Sequence, residues 1–132
     1  MKKGFLSMDK THDTWIEYAN RDLASAKHLL TLIPIPLEII CYHCQQSAEK
    51  FLKAYLIFQN IAPKRTHDLE ELFKECEKFD GNFSDIEDEC SNLTDFAVNT
   101  RYPYELELTL EDTKRAIKDA EKIKEFILNK FN

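Results

Sequence analysis

The sequence predicts an all-α protein, an up-down bundle of four to five helices. Only two glycines and four prolines interrupt its 132 residues, and apolar residues recur at helical rather than strand spacing. The strongest helical pattern is the stretch Leu37–Phe58, where the apolar residues fall on one narrow arc. A chain of this length buries on the order of two thirds of its unfolded surface, so we expect one domain over residues 1–132 without a metal or disulfide.

The stretch Leu37–Phe58 is the predicted central helix of the bundle. Its buried arc consists of Leu37, Cys41, Cys44, Ala48, Phe51, Leu52 and Tyr55. The opposite side is mostly polar, yet Ile39 and Ile57 lie at its two ends. A second covered surface is therefore expected, against either another helix of the chain or a second copy of the protein.

The first helix is predicted to begin at Thr11 or Asp13, either of which can cap it, and to end near Ile33. Its apolar stripe consists of Trp15, Ala19, Leu23, Ala26, Leu29, Leu30 and Ile33. Asp22 falls inside this stripe, where an unpaired carboxylate is costly. Two alternatives are open for this carboxylate. It reaches solvent or a lysine at the edge of the bundle, or it pairs inside the bundle with a partner such as Arg101 or a lysine of the central helix.

Three further helices follow a loop that contains Pro63. The third opens at Thr66 or Asp68 and ends at Gly81 and Asn82. The fourth begins at a capping box formed by Ser84 and Glu87 and stops near Asn99. The fifth begins at Thr109 and Asp112 and reaches Phe131.

Composition limits the function classes. The net charge of -6 disfavours a general nucleic-acid coat, because nonspecific binding needs Lys and Arg against phosphates. The apolar run over residues 29–42 is too interrupted to span a bilayer, and MKKGFLSMDK lacks the apolar core of a secretory signal. We therefore expect a cytoplasmic protein that is not bound to a membrane.

The four cysteines are predicted to be thiols of a reducing compartment. Cys41-x-x-Cys44 has the spacing of a metal or redox pair, but both residues lie on the buried arc of a helix. The better interpretation is that these two cysteines, and also Cys76 and Cys90, are small apolar residues of the buried core. Glycine-rich phosphate loops and paired-histidine metal motifs are also missing, so no metal and no cofactor is predicted.

A phosphate-binding end is the main functional hypothesis from the residues. If sequential helices pack antiparallel, the loop of Lys64, Arg65 and His67 lies beside the loop of Arg101, with three helix N-termini pointing there. Tyr102 and Tyr104 add faces on which a base can stack. Alternatively, His67 and Arg101 only cap helices and pair with carboxylates.

Candidates on the helices complete this site. We include Lys50 and Lys53 among the ligand-binding candidates and assign a structural polar role to Asp22, Gln46 and Glu49.

Four segments together resemble the HEPN family, helical domains named for nucleotide binding in higher eukaryotes and prokaryotes. They are Trp15 with Ala19, Asp22, Leu23 and Ala26; Gln45-Gln46-x-Ala48-Glu49-Lys50-x-Leu52-Lys53-Ala54; Thr66-His67-Asp68-Leu69; and Arg101-Tyr102-Pro103. The resemblance implies a dimerising bundle similar to the helical domain of some antibiotic nucleotidyltransferases. Many relatives are encoded beside a minimal nucleotidyltransferase, in two-protein systems of toxin–antitoxin type.

Many HEPN proteins are ribonucleases with an arginine followed, after four to six residues, by a histidine. Here the arginine would be Arg101, but the histidine positions hold Leu106, Glu107 and Leu108. Three functions remain open: a module that binds a nucleotide or a nucleotidyltransferase partner, a ribonuclease that uses His67 and Arg101, and a non-catalytic dimeric adaptor. The sequence is compatible with both an enzyme and a non-catalytic protein.

Overall fold

Five α-helices account for the fold of residues 11–96 and 108–131, the part that this computed structural model describes. They are α1 (His12–Leu29), α2 (Leu37–Phe58), α3 (Leu69–Phe79), α4 (Glu87–Thr94) and α5 (Leu110–Asn129), with a 3₁₀ helix (Gly81–Ile86) leading into α4. The predicted all-α bundle is confirmed. The expected end of the fourth helix near Asn99 and the residues Arg101, Tyr102, Tyr104, Leu106 and Glu107 lie outside the described residues.

Helix α2 lies at the centre of the bundle, as its apolar arc predicts. Phe51, Leu52 and Leu56 are fully buried. Helix α1 packs antiparallel to it, because His12 contacts Phe58 at one end while Asp22 meets His43 further along. The far side of α2 is covered by the same chain, and Ile57 is only 7% exposed. Of the two alternatives for this second surface, the chain itself covers Ile57, whereas Ile39 remains 45% exposed.

The end of α1 differs from the prediction. The helix stops at Leu29 rather than near Ile33, and the Thr31 hydroxyl donates to the His28 carbonyl at 2.8 Å. Proline disfavours helical backbone in the residue before it, so the chain must leave the helix ahead of Pro34. Ile33 is consequently 97% exposed and does not belong to the apolar stripe.

Three of the four predicted N-terminal helix caps are confirmed. The side chains of Thr11, Asp68 and Thr109 cap α1, α3 and α5, the last in a complete capping box with Asp112. The box predicted at Ser84 does not form, because residues 81–86 make a 3₁₀ helix capped by Asp80. The three-residue repeat of that helix places Phe83 and Ile86 on the same side, and both are fully buried.

The direction of α3 and α5 also differs from the prediction. The loop over residues 59–68 returns along α2, so α3 begins beside Gln45 and has Cys76 beside Leu52. Helix α5 likewise runs parallel to α2, from Thr113 beside Cys41 to Phe131 beside Phe58. The starts of α1, α3 and α5 therefore do not meet at one end, and the hypothesis of three converging N-termini is wrong.

Loop length explains this difference. A loop of this size reaches about 30 Å when extended. Returning from Phe58 to Gln45 along a helix requires only about 20 Å at 1.5 Å per residue. The assumption that consecutive helices are antiparallel holds only for connections too short to make such a return.

The Thr109 hydroxyl, which forms the capping box of α5, is expected to contribute measurably to the free energy of unfolding. It accepts from the Asp112 N–H at 3.0 Å, so Thr109→Ala should lower the free energy of unfolding by about 1 kcal/mol in urea denaturation. Ser91→Ala, at an exposed position within α4, is the control and should change it by less than about 0.5 kcal/mol. Equal effects at both positions would contradict a specific role for the cap.

Candidate functional site on the central helix

A buried strip of polar side chains runs along one face of α2. Glu49 and Lys53 have side chains only 2% and 4% exposed, and Lys53 Nζ donates to Glu49 Oε2 at 2.7 Å. Lys53 Nζ also lies 5.7 Å from the centre of the Trp15 ring on α1. This ion pair is therefore enclosed within the bundle, where each charge depends on the other because little water reaches them.

Gln45 of the same strip joins α2 to the loop over residues 59–68, called the return loop below, and Gln46 supports Gln45. Gln45 Nε2 donates to the His67 carbonyl at 3.1 Å. Gln46 Nε2 donates to Gln45 Oε1 at 2.9 Å and to Glu49 Oε1 at 3.4 Å. The backbone at His67 is thus held by a chain of hydrogen bonds that leads to the buried carboxylate.

The imidazole of His67 connects this strip to solvent. Its Nδ1 lies 3.1 Å from each of the two carboxylate oxygens of Glu49. The His67 side chain is nevertheless 79% exposed, whereas Glu49 is buried. An exposed ring oriented by a buried acceptor is a preorganised group for binding or proton transfer.

A second polar cluster joins α1 to α2. Asp22 accepts hydrogen bonds from Lys50 Nζ and from His43 Nδ1, the latter at 2.9 Å. Of the predicted partners for Asp22, a lysine of the central helix is the one observed. The sequence interpretation missed His43, although it lies seven residues before Lys50 and hence on the same face of the helix.

The remaining predicted site residues lie in or beyond the return loop. Lys64 and Arg65 are exposed on the loop that carries His67. Lys50 and Lys53, predicted as ligand-binding residues, are engaged by Asp22 and Glu49. Gln46 and Glu49, predicted as structural polar residues, are buried and hydrogen-bonded to each other, while Arg101 and Tyr102 lie outside the described residues.

The cysteines contribute no reactive group to this site. Cys41, Cys44, Cys76 and Cys90 are all free and buried, as predicted. Burial raises the pKa of Cys90 to about 12 and also raises the pKa of the other three thiols. Thiolate, the nucleophilic form, is disfavoured for each of them near neutral pH.

Metal-binding clusters and membrane-spanning helices are both missing from the described part of the chain. Within residues 11–96 and 108–131, no three or more His, Cys, Asp and Glu side chains are grouped as a metal site would require. In the same two ranges, no helix has the length and apolar character to cross a membrane.

These features define a small helical-bundle domain with an internal ion pair on its central helix and an exposed histidine on the loop beside that helix. A family model described as "HEPN domain" matches residues 12–130. The chain belongs to the HEPN domain family.

Two solved structures resemble this chain over nearly their whole length. TT1696 from Thermus thermophilus is 22% identical with a TM-score of 0.78, covering 90% of this chain and 97% of its own. ST0689, an archaeal HEPN homologue, is 26% identical with a TM-score of 0.71, covering 93% of this chain and 99% of its own. A search of curated proteins gave no match.

Three of the four HEPN-like segments contact one another in this structure. Ser47 donates to the Ala19 carbonyl at 2.8 Å, which joins α2 to the first segment. Gln45 and Glu49 hold the third segment through His67. These segments therefore meet along the central helix, where they contribute core residues such as Ala19, Ala48 and Leu52 as well as the buried polar strip.

Proposed function

We propose that this HEPN domain binds a nucleotide at the surface around His67. The observation that supports the proposal most directly is an imidazole 79% exposed yet anchored on a buried carboxylate. In this proposal, Lys64, Arg65 and Arg101 supply positive charge for the phosphate, and Tyr102 supplies a stacking face. The domain acts as a homodimer with a minimal nucleotidyltransferase partner, in a two-protein system of toxin–antitoxin type.

Charge distribution supports a phosphate-bearing ligand at this loop. The whole chain carries a net charge of -6, and Lys64 and Arg65 are exposed next to His67. A local cationic group attracts anions even on an acidic protein, because exposed charges act over about 10 Å at ordinary salt concentrations. Arg101 would add a planar pair of donors that fits phosphate oxygens.

A ribonuclease is the second candidate function. The contact of His67 Nδ1 with Glu49 supports it, since a carboxylate that orients an imidazole is a recurring element of general acid–base catalysis. In this version, His67 transfers the proton and Arg101 stabilises the charged phosphate. The two candidates predict different results for the same pair of substitutions.

The test combines nucleotide affinity with RNA cleavage. Arg101→Ala should weaken nucleotide binding by about 1–3 kcal/mol, and Arg101→Lys should also weaken it because lysine lacks the planar pair of donors. His67→Ala should weaken binding less than Arg101→Ala if the imidazole only orients the ligand. If the protein is a ribonuclease, the same His67→Ala substitution should abolish cleavage.

The matched control is His28→Ala, which removes an exposed histidine on α1. It should alter neither affinity nor cleavage. The proposal fails if the unmodified protein, assayed with and without its nucleotidyltransferase partner, neither binds nucleotides nor cleaves RNA. It also fails if His28→Ala reduces binding as much as His67→Ala does.

A further inference from the structure

The position of the hydrogen on the His67 ring follows from its contact with Glu49. The Glu49 carboxylate accepts from Lys53 Nζ at 2.7 Å, and a carboxylate in such an ion pair has no hydrogen to donate. His67 Nδ1 lies 3.1 Å from both of its oxygens, so this nitrogen must be the donor. In the neutral ring, the hydrogen is therefore on Nδ1 and the lone pair is on Nε2.

The surrounding backbone keeps the ring in this orientation. The His67 carbonyl accepts from Gln45 Nε2 at 3.1 Å. On the other side, the Asp68 N–H donates to Thr66 Oγ1 at 3.1 Å, and the Asp68 carboxylate caps α3 through the Glu70 N–H. Turning Nδ1 away would leave the buried carboxylate with one donor fewer, so Nε2 is the nitrogen available to a ligand.

A lone pair on Nε2 restricts the chemistry of the group that it can bind. Phosphate oxygens are acceptors and cannot hydrogen-bond to a nitrogen that carries no hydrogen. A hydroxyl can donate to it, and the hydroxyls of a nucleotide are on its ribose. The 2′-hydroxyl is also the group that lets a protein distinguish RNA from DNA at a given position.

From this geometry we infer that His67 Nε2 accepts a hydrogen bond from a ribose 2′- or 3′-hydroxyl, so that the site recognises the sugar of a nucleotide as well as its phosphate. The inference rests on the proposed nucleotide binding and adds the class of ligand. The phosphate is then contacted by the loop cations Lys64 and Arg65, while Glu49 is a positioning residue that never touches the ligand.

The first measurement is the tautomer of His67 in the ligand-free protein. Long-range ¹H–¹⁵N correlation NMR above the pH at which the ring titrates should show the Nδ1–H form for His67. The exposed His28 should show the Nε2–H form that free imidazole side chains favour. In Glu49→Gln, the amide can donate as well as accept, so the Nδ1–H form should lose its dominance. An Nε2–H ring in the unmodified protein overturns the inference whichever nucleotides bind.

The second measurement compares each of the four ribonucleoside monophosphates with its 2′-deoxy and 3′-deoxy counterparts by calorimetry. At least one deoxy form should bind about five- to tenfold more weakly, the typical effect of one hydrogen bond. His67→Ala should bind the ribonucleotide and that deoxy form equally. If ribonucleotides bind but both deoxy forms bind as tightly, the inference is wrong and the proposed function stands. If no nucleotide binds, both are wrong.

Discussion

Replacing Lys53 by methionine should lower the free energy of unfolding by about 3–5 kcal/mol in denaturant titrations. The substitution leaves Glu49, 2% exposed, as a charged group without its ammonium partner. Methionine fills a similar volume, so the loss reports the stranded charge rather than a cavity. We expect the double variant Glu49→Gln/Lys53→Met to be more stable than Lys53→Met alone, because it removes that charge.

The chain contains a matched control for this experiment. Glu70 and Lys74 have the same four-residue spacing on α3, but their side chains are 64% and 66% exposed. Exposed pairs of this kind contribute about 0–1 kcal/mol, so Lys74→Met should have little effect. A loss at Lys53 no larger than the loss at Lys74 would show that the internal pair is hydrated in solution.

Replacing Phe51 by alanine should cost about 3–5 kcal/mol of unfolding free energy, because it opens a cavity at the centre of the bundle. Phe51 is fully buried on α2. The same substitution at Phe79, which is 57% exposed, is the control and should cost about 1 kcal/mol or less. A loss below about 1 kcal/mol at Phe51 would contradict the packing of α2 described above.

Local sequence signals predicted the helices well and their directions less well. The caps at Thr11, Asp68 and Thr109 could be predicted because each depends on contacts within four residues. The parallel course of α3 and α5 relative to α2 could not, because helical periodicity describes which face is apolar but not which way the helix points. Loop length bears on direction, yet a long loop permits either course.

In the candidate site as well, the sequence predicted some contacts and missed others. Asp22 could be linked to a lysine of α2 because a carboxylate on an apolar stripe needs a partner. Lys53 was predicted to bind a ligand, although it lies in an internal ion pair. A helical wheel gives the angle of a side chain, whereas the cover over Lys53 comes from Trp15, far away in sequence. The contact between His67 and Glu49 likewise required knowing that the loop returns along α2.

The return loop has a thermodynamic consequence for the site it carries. Around His67, the described hydrogen bonds to α2 come from Gln45 and Glu49, and a few part-buried hydrogen bonds can be exchanged for water at a lower free-energy cost than unfolding the bundle. Local opening of this segment, with the bundle still folded, would expose the Glu49 carboxylate to water at the same moment. A ligand that contacts the closed loop would then suppress both events. Ligand binding at the surface would therefore slow the hydrogen exchange of backbone amides in α2.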